Sequence, residues 1–178
     1  MASKPKMVTA VFRDRANAQA AYDMLRARGY LDNEINVLMS DRTRSTYFAT
    51  TEEEKEKHKA GTRATEGMGI GGAIGTAVGA TLAAVAAIGT TVILPVFGGL
   101  VVAGPLAAAL AGGGAGALTG GLVGALVGWG IPESNAKAYE EALREGGVAL
   151  GVVPRDREEA RKIEDEFKNL QGENICYC

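Results

Sequence analysis

Few residues in this chain are of types that perform chemistry, and they are scattered. The two cysteines, Cys176 and Cys178, flank Tyr177. A pair at that spacing fits ligation of a soft metal with two further ligands, thiol exchange with a partner dithiol, or, in a eukaryote, a prenylated tail. The bland alternative is a strand that carries two thiols, since cysteines two apart cannot staple distant parts of a fold. The single histidine, His58, sits between Lys57 and Lys59, where a solvated helix face accounts for it. Gly67, Gly69 and Gly72 match the dinucleotide pattern GxGxxG. A charged run rather than a strand precedes them, however, and no acidic residue follows about 20 positions on to hold a ribose. Glu140-Glu141 and Glu158-Glu159 belong to the polar faces of helices. With one histidine and no Ser/His/Asp or Cys/His set, no catalytic constellation assembles, and no enzyme activity, cofactor or metal is expected.

What dominates the chain is a stretch without chemistry. Between Glu66 and Glu133 lie 66 residues free of Asp, Glu, Lys, Arg and His, holding 19 of the 25 glycines. Gly67, Gly71, Gly75 and Gly79 recur every fourth residue, as do Gly112, Gly116, Gly120, Gly124 and Gly128. That spacing predicts two helices, each with a smooth stripe on which another backbone can pack closely. Each such glycine costs a lone helix about 1 kcal/mol relative to Ala, so something must pack on the stripes. Pro95, Gly98, Gly99, Gly104 and Pro105 mark the turn of this helical hairpin, a glycine zipper.

The charged remainder supplies the elements around it. Met7 to Phe12 predicts a strand, Asp14 caps a helix bearing Ala18, Ala21 and Leu25, and Ile35 to Met39 predicts a second strand. Thr51 with Glu54 opens a charged lead-in helix. Past the glycine block, Pro132-Glu133-Ser134 starts a helix with Tyr139 and Leu143 on its apolar face. Val148 to Val153 predicts a third strand, Asp156 caps a helix carrying Ala160, Ile163, Phe167 and Leu170, and Asn174 to Tyr177 predicts a fourth.

The two ends echo one another. Val11-Phe12-Arg13-Asp14-Arg15 answers Val153-Pro154-Arg155-Asp156-Arg157, and in the same register Ala18, Ala21 and Leu25 answer Ala160, Ile163 and Phe167. Two βαβ units side by side make an α+β, ferredoxin-like (βαβ)2 sandwich, a four-stranded sheet with helices on one face and an extra helix at about residues 133–145. The expected domains are residues 1–45 as the first half, 46–66 as the lead-in, 67–132 as the inserted hairpin and 133–178 as the second half.

Charge says little about partners. Residues 1–66 carry 12 basic and 10 acidic groups and residues 133–178 carry 7 and 11, so no nucleic-acid surface is expected. Residues 67–94 and 105–130 are each long enough, at about 1.5 Å per residue, to cross a hydrocarbon core of roughly 30 Å. Trp129 and the basic Lys55, Lys57, Lys59 and Arg63 suit an interface with cytoplasmic termini. Yet Val92 to Val102, the turn, is the most apolar part of the block, and Ala and Gly drive insertion poorly. The leading expectation is a hairpin embedded in membrane lipid beside its copies, with a cytoplasmic α/β domain; a soluble homo-oligomeric particle or filament with buried hairpins is the alternative, and a ligand-sensing α/β domain coupled to the hairpin is a third reading. Self-association is common to the first two.

Three stretches carry a family likeness: Val102-Ala103-Gly104-Pro105-Leu106-Ala107-Ala108-Ala109-Leu110, the run from Gly121 to Glu133 (GLVGALVGWGIPE), and Ala138 to Leu143 with Gly146-Gly147. Through them the chain resembles the bacterial general-stress-protein-17M-like family. The resemblance implies an α/β domain interrupted by a glycine-rich apolar segment, a bacterial stress setting, and no activity or catalytic residue to carry over.

Overall fold

A computed structural model of the chain describes residues 6–44, 90–94, 98–107 and 117–178. In chain order these form β1 (Val8–Phe12), α1 (Arg15–Ala27), β2 (Ile35–Ser40) with a helical turn Asp41–Thr43, β3 (Thr90–Leu94), β4 (Gly98–Ala103), α2 (Ala117–Gly128), α3 (Glu133–Arg144), β5 (Val148–Val152), α4 (Arg157–Asn169) and β6 (Glu173–Tyr177). The fold is α+β. Five antiparallel strands in the order β4-β2-β5-β1-β6 form a sheet that β3 extends beyond β4.

The three central strands are short apolar runs, and every residue of β1 and β5 and all but the last of β2 are buried. Burial of both alternating faces requires a layer on each side. On one face Val8, Ala10 and Phe12, with Ile35, Val37 and Met39, meet Ala18, Ala21 and Leu25 of α1 and Ala160, Ile163 and Phe167 of α4. Phe12 and Phe167 meet edge to face, centroids 5.4 Å apart. On the other face Val11, Leu38, Leu100, Val102 and Ala149 meet Leu122 and Leu126 of α2 and Tyr139 and Leu143 of α3. A sheet covered on one face only is therefore corrected: the helix at residues 133–145 and the end of the glycine block together make a second layer.

Both repeated Asp residues cap their helices. The Asp14 carboxylate accepts from the Ala16 and Asn17 amides at 2.7 and 3.1 Å, and that of Asp156 from the Glu159 amide at 2.7 Å. The repeated arginines bridge elements. Arg155 donates to the carbonyls of Arg28 and Gly29, both at 3.2 Å, closing the end of α1 where carbonyls lack helical partners. Arg13 pairs with Glu173 at 3.0 Å and with Glu145.

The expected helical hairpin is corrected where it is described. Residues 90–94 and 98–103 are the strands β3 and β4, not the helix ends and turn of a zipper. Thr90, Thr91, Val92 and Ile93 are β-branched, a chemistry that suits a pleated surface better than a helix. The described parts of the apolar run Val92 to Val102 are thus sheet, and its Leu100, Val101 and Val102 are core. The lead-in at residues 46–66 and the first zipper helix lie outside the described residues. No described helix is long and apolar enough to cross a membrane.

Candidate functional site

Of the residues expected to pack helices, Gly67, Gly71, Gly75, Gly79, Gly112 and Gly116 lie outside the described residues, as does Pro95. Gly98 and Gly99 stand in β4 rather than in a turn between helices. Gly104 ends that strand at φ +88°, and a Cβ there would lie 2.3 Å from the Ile35 carbonyl oxygen, so only glycine fits. Pro105 follows at the start of a helical turn, residues 105–107.

Gly120, Gly124 and Gly128 do fall on α2, which carries no charged residue. Their stripe is not continuous, which corrects the expectation of one smooth helix. At Gly121 the backbone leaves the helical region (φ 60°, ψ −147°) and two helical pieces meet. Leu122, Ala125 and Leu126 anchor the second piece on the sheet layer, against Leu106, Tyr139 and Leu143. The opposite side is exposed among the described residues: a Cβ at Gly120 or Gly128 would meet none of them within 4 Å, and Val127 is 42 % exposed. The turn into α3 is fixed by amide bonds from Trp129 and Ile131 to the Leu126 carbonyl, 3.0 and 3.1 Å. Among the described residues this side of α2 is thus apolar and built from small side chains.

Beneath α2 and α3 the sheet carries polar residues that the sequence pattern did not single out. Asn36 is fully buried; its Oδ1 accepts from the Leu106 amide at 2.7 Å and its Nδ2 donates to the Gly151 carbonyl at 3.3 Å. Tyr139 donates to the Asn174 carbonyl at 2.7 Å, so Thr9 Oγ1, 2.8 Å away, must donate to the Tyr139 oxygen. Burial pushes the Tyr139 pKa up to about 12. Their signal in the sequence is a polar residue inside a strand otherwise buried on both faces, which has to be hydrogen-bonded. The void here, about 10 Å³ and lined by Leu38, Leu126, Ile131 and Leu143 among others, has no room for a metabolite.

Cys176 and Cys178 are joined by a disulfide at the end of β6. Among the described residues no group of three or more His, Cys, Asp or Glu is placed to hold a metal ion. No family model, curated protein or solved structure matches the chain.

Proposed function

We propose that the chain is a non-enzymatic, self-associating protein in which a ferredoxin-like core displays the bare side of α2 to further copies of itself, as a scaffold in a bacterial stress setting. The strand order β2-β5-β1-β6, with α1 and α4 together on one face, is that of two interlocked βαβ units. The observation that carries the reading is the two-sidedness of α2: Leu122 and Leu126 are seated on the sheet, whereas Gly120 and Val127 are exposed and nothing among the described residues lies within 4 Å of a Cβ at Gly120. Glycine lets two backbones approach until dispersion and Cα–H contacts replace side-chain packing.

The soluble assembly is favoured over the membrane-held form because described parts of the uncharged run already use their apolar surface in the domain core: Leu100, Val102, Leu106, Leu122 and Leu126 are all buried. What favours lipid is the length of that run, and one experiment separates the two. The full chain is expressed, fractionated without detergent and sized by light scattering. A uniform soluble oligomer is expected for the wild type, and a smaller species for Gly120→Leu/Gly128→Leu. A Cβ at either position meets none of the described residues within 4 Å, so the substitutions are expected to spare the described core while holding two copies apart. Protein that stays in the membrane pellet through alkaline carbonate transfers the role to lipid; a monomeric wild type ends the proposal.

A further inference from the structure

We propose that Cys176 and Cys178 form a reversible thiol–disulfide site that exchanges two electrons with dithiols. Cys176 stands on β6 and Cys178 directly after its end, where its backbone still pairs with Met7; two apart along extended chain, both side chains leave the same face, and their Cα atoms are 5.7 Å apart across the disulfide. That separation is within the span a disulfide bridges without backbone movement, so the strand accommodates the bonded and the open pair alike. The bond ties together nothing that is otherwise loose. Cys178 already exchanges two backbone hydrogen bonds with Met7, at 2.6 and 3.0 Å, and Cys176 is paired with Thr9 in the sheet. Closing so short a loop also restrains the unfolded chain far less than a long-range disulfide does. Access completes the case: β6 is an edge strand and both cysteines are partly exposed.

The exchange balances as follows. A thiolate of the external dithiol attacks one sulfur of the pair, forming a mixed disulfide and releasing the other cysteine as a thiolate. The second thiol of the reductant then displaces the first cysteine. The reductant leaves as its own disulfide, and the protein holds two thiols, having gained two electrons together with the two protons the reductant gave up.

The test equilibrates the full chain with set ratios of reduced and oxidised dithiothreitol, quenches with acid, alkylates free thiols and weighs the product. Chains with no alkyl group and chains with two are expected, interconverting along one two-electron curve that is the same in both directions, with an unchanged far-ultraviolet circular dichroism spectrum. Two alkylated thiols at every ratio, or covalent dimers on oxidation, would overturn the proposal. Cys176→Ser and Cys178→Ser supply a second readout with oxidised glutathione: each variant is expected to retain one glutathione per chain, where the wild type resolves the adduct and retains none. Failure of both variants to take up glutathione would show that neither sulfur is reachable, and the site would fall.

Discussion

Tyr139 on α3 and Thr9 on β1 share a hydrogen bond of 2.8 Å inside the layer between the sheet and its second set of helices. Because the Tyr139 proton goes to the Asn174 carbonyl, this one hydroxyl ties together β1, α3 and the start of β6.

Tyr139→Phe keeps the ring and removes the hub, leaving the Thr9 hydroxyl short of a partner, while the Asn174 carbonyl keeps only the Asn135 side-chain amide at 3.0 Å. A loss of about 1–3 kcal/mol is expected from urea unfolding, against roughly 3–5 for Tyr139→Ala, which also opens a cavity.

The same tyrosine makes stability fall in alkali. Its pKa is raised from 10.0 to about 12, chiefly by burial, so the folded chain keeps a proton that the unfolded chain gives up. Stability is fully present below pH 10 and is lost as the pH rises towards 12, by about 2–3 kcal/mol for this group. Tyr30, also pushed up to about 12 by burial, adds to the fall. The urea midpoint measured from pH 8 to 12 should drop above pH 10, and less steeply in Tyr139→Phe.

Asn36→Ala removes the acceptor for the Leu106 amide and the donor to the Gly151 carbonyl. Buried groups left without partners cost about 1–3 kcal/mol. In hydrogen exchange, the Leu106 amide should lose protection before the amides of β1 do.

Two glycines should respond in opposite ways to Ala. At Gly104 a Cβ would sit 2.3 Å from the Ile35 oxygen at positive φ, so Gly104→Ala should destabilise the fold by several kcal/mol or prevent it from forming. Gly120 is helical with open space around it, and Gly120→Ala should leave stability unchanged or raise it by up to about 1 kcal/mol. Thermal unfolding of the two variants side by side checks the contrast.

The elements outside the glycine block were legible because each carried its own punctuation. Asp14 and Asp156 before apolar stripes marked two helices, and Gly146-Gly147 marked the end of α3 ahead of β5. Inside the block there was no charged residue to set a period. A run such as Val92 to Val102 has no charge to tell a buried strand from a turn, and the breakers Pro95, Gly98, Gly99, Gly104 and Pro105 weighted it towards the turn of a helical hairpin. The second layer was foreshadowed by β1, β2 and β5 being apolar at nearly every position, which is what strands buried on both faces require. Asn36 and Thr9 were hidden because their partners, Leu106 and Tyr139, come from far along the chain, and no local pattern announces such a pairing.

β5 lies between β1 and β2, so the two strands of the first βαβ unit share no hydrogen bonds with each other. Among the described strands β1 pairs only with β5 and β6, so it cannot settle its register until the second βαβ unit has been made, whereas β2 can pair earlier with β4. During synthesis β1 must therefore wait, its apolar run unpaired, while the whole uncharged block emerges behind it. The interlock that makes the finished core continuous also makes it a late product of the ribosome, and leaves that apolar strand open to wrong partners until then.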